Sequence, residues 1–128
     1  MMRPFDSAPP LRIGCVPYLN AMPLIEGLDV SLETPADLVE QLASGRYDVA
    51  LIPSIEVLRR GLAFVPGVAI ASPGATDSVR LWLKKPLRDV KLVALDCNSR
   101  TTNALARILL EKKHGLSPRY IVGDPAKG

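Results

Sequence analysis

The sequence predicts an α/β protein with a mainly parallel sheet. Short apolar runs alternate with helix-patterned segments, and prolines or glycines mark most of the boundaries between them. That alternation is the signature of strands joined by helical crossovers. Two of the runs, "LRIGCV" and "VKLVALD", are almost continuously apolar, as strands buried on both faces require.

Taken in order, "LRIGCV" is the first strand. Pro17 fixes its own φ angle and pushes the residue before it into extended geometry, so the strand should end near Val16. A loop bracketed by Pro17 and Pro23 follows, carrying Tyr18 and Asn20. "LDVSLE" alternates apolar and polar residues and reads as a second strand. In "TPADLVEQLASG", Thr34 is the expected N-cap, Pro35 suits the first helical position, Leu38, Val39 and Leu42 form one apolar face, and Gly45 stops the helix. "YDVALIP" is a third strand halted by Pro53, and "SIEVLRRG" a short helix with Ser54 as its cap and Gly61 as its stop. Glu56 then does no more than help that helix begin.

"LAFVPGVAIAS" supplies short extended pieces and "PGATD" a turn. "SVRLWLKK" alternates Val79, Leu81 and Leu83 with Arg80, Trp82 and Lys84, the pattern of a strand with two unlike faces. "VKLVALD" is a buried strand, and "NSRTTNALARILLEKKHG" the longest helix. Its expected core face is Leu105, Ile108 and Leu109, with bases in the last turn. "RYIVG" begins a strand for which the sequence suggests no neighbour. The organisation expected is a flexible leader over residues 1–10, a first lobe over 11–72, an interlobe crossing over 73–87 and a partial second lobe over 88–128.

Composition narrows the function classes. With 48% hydrophobic and 23% charged residues in 128, there is enough apolar material for a packed core. No apolar run approaches the roughly 20 residues of a spanning helix. "MMRPFDSAPP" lacks the apolar centre of a secretory signal, so a cytoplasmic protein is expected. Cys15 and Cys97 then act as small buried apolar residues rather than as a disulfide, and one histidine without a Cys-x-x-Cys pair gives no metal site. The net charge is +3, with acids concentrated between Glu26 and Glu56 and bases dominating from Arg59 onward. The bases are scattered, aromatics are 5%, and no nucleic-acid motif is present. A solvated basic surface fits better, with an anionic small-molecule ligand as a variant of that reading.

Three loops follow a strand and precede a helix: "PYLNAMPL", "PSIE" and "DCNSRTT". In an open parallel sheet such loops gather at the carboxyl ends of the strands. They bring Tyr18, Asn20, Ser54, Asn98, Ser99, Thr101 and Thr102 there. The third is the most informative. A helix N-terminus carries free N–H groups and about half a positive charge, and Arg100 in the first turn opposes that charge. A bound carboxylate or phosphate would remove the conflict, with the guanidinium gripping it through two nitrogens. His114, near a helix C-terminus, reads as a surface residue.

Four stretches, "GCVPYLNAMPL", "DVALIPSIE", "SVRLWLKKPL" and "LDCNSRTT", resemble the chorismate dehydratase family in order and separation, over most of the chain. The resemblance implies the type II two-lobed fold of periplasmic binding proteins, with the first lobe nearly complete and the second partial. It also implies removal of water from chorismate to give 3-[(1-carboxyvinyl)oxy]benzoate, the opening step of the futalosine route to menaquinone (vitamin K2), with no redox cofactor and no metal. The expected partner is chorismate, an anionic dicarboxylate, with neither nucleic acid nor membrane. Carried over by position, Asn20 and Ser78 are catalytic. Tyr18, Ser54, Ser99, Arg100, Thr101 and Thr102 bind substrate. Family members are longer, and "VGDPAKG" is similar to a Gly-Asp-Pro-Ala motif found further along them, which would involve Asp124. Two alternatives stand beside this: a non-catalytic small-carboxylate-binding module, and the sister dihydroxynaphthoate synthase of the same pathway. The sister enzyme should carry a histidine in its cleft.

Overall fold

The computed structural model describes residues 9–123. Residues 1–8 of the expected leader, and Asp124, lie outside the described residues. By compactness the chain divides into Met1–Ile52 and Pro53–Gly128. This is a different division from the lobe boundaries expected at residues 72 and 88.

The first unit holds a three-stranded sheet, β1 (Ile13–Cys15), β2 (Ser31–Leu32) and β3 (Val49–Ala50), in the order β2-β1-β3. Both pairings are parallel, with Gly14 of the central strand opposite Ser31 on one side and Ala50 on the other. The strands are shorter than the apolar runs suggest, but β1 stops before Pro17 as expected. Helix α1 (Met22–Ile25) connects β1 to β2, and α2 (Pro35–Ala43) connects β2 to β3.

Helix α2 begins as its sequence dictates. The Thr34 hydroxyl accepts the Asp37 N–H at 3.2 Å and donates to the Asp37 carboxylate at 2.6 Å, while Pro35 fills the first turn, where no N–H is needed. Leu38 and Val39 are buried, Leu38 packing with Cys15, Val16, Ala21 and Tyr47. Each such side chain contributes roughly 1.5–3 kcal/mol by leaving water. Gly14 makes the fit possible: a Cβ there would lie 2.6 Å from Leu38 Cδ2 and 2.9 Å from the Tyr47 ring. At the sheet's amino edge, Arg12 donates from its backbone N–H, Nε and Nη2 to both oxygens of Asp48. Those hydrogen bonds lower the Asp48 carboxyl to about 2.

The second unit contains α3 (Ser54–Arg60), β4 (Leu92–Asp96), α4 (Arg100–Ile108) and β5 (Arg119–Gly123). Pro53, not Ser54, occupies the N-cap position of α3, so Ser54 is the first helical residue. Gly61 ends the helix at φ 61°, the left-handed conformation that glycine adopts without cost. β4 and β5 pair in parallel from Leu92 opposite Arg119 to Asp96 opposite Gly123. The last strand therefore does have a neighbour, reached through the α4 crossover.

Val93, Leu95 and Leu110 form the core of this unit, supported by Leu87, Val90, Leu116 and Tyr120. The expected core face of the long helix is not the observed one. Leu110 is buried, whereas Leu105, Ile108 and Leu109 are between 42% and 55% exposed. The two-stranded pair is narrow, and the helix meets it along one stripe. Beyond Ile108 the helix widens into a π-helical stretch, Leu109–Lys113.

No strand forms at residues 79–83, although the sequence alternates there. A strand needs a partner for its backbone groups, and among the described residues none pairs with this segment. Trp82 is instead 80% exposed, with the Arg80 guanidinium 5.8 Å from its ring centre. Cys15 is buried as expected, but Cys97 is exposed at the turn after β4; both are free thiols. Among the described residues no helix is long and apolar enough to cross a membrane, and no cluster of potential ligands suits a metal ion.

Candidate active site

In the first unit the chemistry-bearing turn follows β1, the central strand. Tyr18 is extended at φ −105° and ψ 143°, and its carbonyl accepts the Ala21 N–H at 2.9 Å, closing a single 3₁₀ turn over Leu19–Ala21. Ala21 is fully buried and anchors the turn in the core, while Tyr18 and Asn20 remain exposed. Pro23 lies in the first turn of α1, so the second bracket of the expected loop is already helical. Asn20 is thus an exposed amide on a short turn tied down through its neighbour. A depression of about 390 Å³ lined by Arg12, Ser31 and Tyr47 lies at the amino ends of these strands, away from Asn20.

In the second unit the turn between β4 and α4 is built by Asp96. Its carboxylate accepts the Asn98 N–H at 2.9 Å. Its carbonyl accepts the Ser99 N–H at 3.2 Å and the Asn103 side-chain amide at 2.7 Å. The Cys97 N–H donates to the Gly123 carbonyl at 3.1 Å, fastening the turn to β5. Ser99 occupies the N-cap position with φ −117° and ψ 61°, yet its hydroxyl makes no capping bond. No acid stands in the first turn of α4, so Arg100, Thr101 and Thr102 face the positive end of the helix without a local counter-charge.

That counter-charge comes from α3. Glu56 is 4% exposed. Its Oε1 lies 3.4 Å from Arg100 Nη1 and 3.8 Å from Arg59 Nη1, and its Oε2 accepts a hydrogen bond from Arg60 Nε at 3.1 Å. Burial pushes the Glu56 carboxyl upward, but the Arg60 hydrogen bond and the Arg100 charge outweigh it and hold the group below its ordinary range. A buried carboxylate is tolerable only with such partners. Glu56 is therefore more than a helix-starting acid. The two helices also meet through a long hydrogen bond, 3.4 Å, from the Ile55 N–H to the Thr101 hydroxyl.

The structure brings Ser54, Arg100 and Thr101 into one neighbourhood, since the α3 N-terminus packs on that of α4. It places Ser78 in an exposed turn, its hydroxyl 3.0 Å from that of Thr76, beside an Asp77–Arg80 ion pair. Three residues that shape the site were missed by the sequence reading: Glu56, Asp96 and Asn103. Asp96 had a local signal, because an Asp two residues before a backbone N–H commonly closes an Asx turn. Glu56 had none.

The comparisons with known proteins agree on one family. A family model described as menaquinone biosynthesis matches residues 11–127. The chain is also similar to chorismate dehydratase of Thermus thermophilus, with 35% identity over 118 residues, covering 87% of this chain and 43% of that protein. The chain therefore spans less than half the length of this relative.

Proposed function

We propose, from the premise that this chain belongs to the menaquinone-biosynthesis family, that it carries out or contributes to the dehydration of chorismate to 3-[(1-carboxyvinyl)oxy]benzoate, the first step of the futalosine route. In this reading the chain forms part of a type II two-lobed fold like that of periplasmic binding proteins, with the first lobe nearly complete and the second partial. The observation that carries it is the α4 N-terminus. There a partly exposed arginine, the Ser99 and Thr102 hydroxyls and helix N–H groups offer a carboxylate receptor. Thr101 adds a hydroxyl shared with the Ile55 N–H, and the family resemblance adds Ser54 and Tyr18 as substrate-binding residues.

The chemistry needs little from the protein. A ring hydrogen leaves as a proton and the hydroxyl leaves with the C–O electron pair; together they make water, and the ring becomes aromatic. The substrate's own enolpyruvyl carboxylate takes the proton from the ring and gives it up to the departing hydroxyl, which leaves as water, while Asn20 and Ser78 donate hydrogen bonds to that hydroxyl. Holding the reacting groups in that geometry is worth roughly 7–11 kcal/mol of barrier. Within this sequence the one histidine, His114, caps the far end of the helical segment that Arg100 begins.

The test is to supply chorismate and follow the new aromatic absorbance. Asn20→Ala and Ser78→Ala should each lower kcat by about 10²–10³-fold, as removal of one oriented donor does elsewhere. Unchanged turnover in both variants refutes the assignment, and binding without turnover by the wild-type chain supports a carboxylate-binding module instead.

A further inference from the structure

Glu56 is the one buried charged residue in the described core, and the chemistry proposed above does not use it. Two explanations compete. Its pairs with Arg59 and Arg60 are spaced i,i+3 and i,i+4 on one helix and on their own would merely brace α3. The pair with Arg100 is different, because it joins two helices and reaches the residue expected to meet substrate.

The geometry of that pair is informative. Arg60 uses its Nε on Glu56 at 3.1 Å, whereas Arg100 approaches through Nη1 at 3.4 Å. This is longer than the roughly 2.7–2.9 Å of a full charge-assisted hydrogen bond. Arg100 Nε and Nη2 make no hydrogen bond to the described residues, and the side chain is 31% exposed. One nitrogen is thus tethered to Glu56 while the side chain as a whole stays partly exposed. A carboxylate held almost out of water is a rigid anchor, since it cannot leave its partners without losing them. An untethered arginine would have to be ordered at the moment of binding, at an entropic cost.

From this we infer that Glu56 is a positioning residue: it holds the Arg100 guanidinium at the α4 N-terminus in the orientation that receives the substrate carboxylate. The inference rests on the dehydratase reading for the identity of the ligand, but not for the tether itself.

The experiment therefore has two arms. In the first, the Arg100 Nη1–H signal is followed by NMR in the ligand-free chain. Glu56→Gln, which keeps the side chain's shape, should speed its hydrogen exchange several-fold; unaltered exchange overturns the inference, whatever the ligand. In the second arm, chorismate binding is measured by calorimetry. Glu56→Gln should weaken it about tenfold in the wild-type background and less than about twofold in an Arg100→Ala background, because two residues acting through one contact are not additive. Glu56→Asp should recover part of the affinity. Equal losses in both backgrounds mean that Glu56 only braces α3, and overturn the inference. Absence of chorismate binding by the wild-type chain overturns the dehydratase reading, and the NMR arm still decides the tether.

Discussion

Helices α2 and α4 make the same kind of connection, each leading from one parallel strand toward another, yet they bury their apolar surfaces very differently. α2 lies with a three-stranded sheet and covers Leu38 and Val39 almost completely. α4 and its π-helical extension meet a two-stranded pair and bury Leu110, while Leu105, Ile108 and Leu109 stay largely in water. Amphipathic spacing specifies that a helix has an apolar face. How much of that face is covered depends on the width of what lies beneath it, which the helix's own sequence does not contain.

This contrast can be tested by substitution. The largest effect is expected for Leu38→Ala, which should cost about 2–5 kcal/mol and lower amide-exchange protection in α2 and β1 while sparing β4 and β5. A uniform loss across both units would show that they unfold as one. Gly14→Ala should cost roughly 1–3 kcal/mol in urea unfolding, because the added methyl meets Leu38 and the Tyr47 ring at under 3 Å. A neutral result would mean that the α2 contact is looser than it looks. Thr34→Ala removes the α2 cap and should cost about 1 kcal/mol, with the loss of protection confined to the first turn. The smallest effect is expected for Leu105→Ser, within about 0.5 kcal/mol of wild type. A cost comparable to that of Leu38→Ala would mean that this face is covered in solution.

What could be read from the sequence follows the range of the forces involved. The Thr34–Pro35 start of α2, the end of β1 before Pro17 and the Gly61 stop of α3 are decided by neighbouring residues, and all three were legible. The same local rules misplaced the start of α3 by one residue, because Pro53 ends the extended segment and itself takes the cap position. Val79–Leu83 has a strand's alternation but lacks a ladder partner among the described residues, so its pattern alone misleads. At the candidate site, the Ser99–Thr102 turn was visible as a loop between strand and helix. The role of Glu56 was not, since its meaning depends on an arginine in another helix, brought to it by packing.

The parallel pairing of β4 with β5 also sets the order in which the protein can be completed. The Cys97 amide that fixes the turn before α4 bonds to the carbonyl of Gly123, at the far end of the last strand. A ribosome delivers the turn first and its fastening only after the intervening helix has emerged. Until then Ser99 and Arg100 sit on a nascent chain whose closing contact does not yet exist.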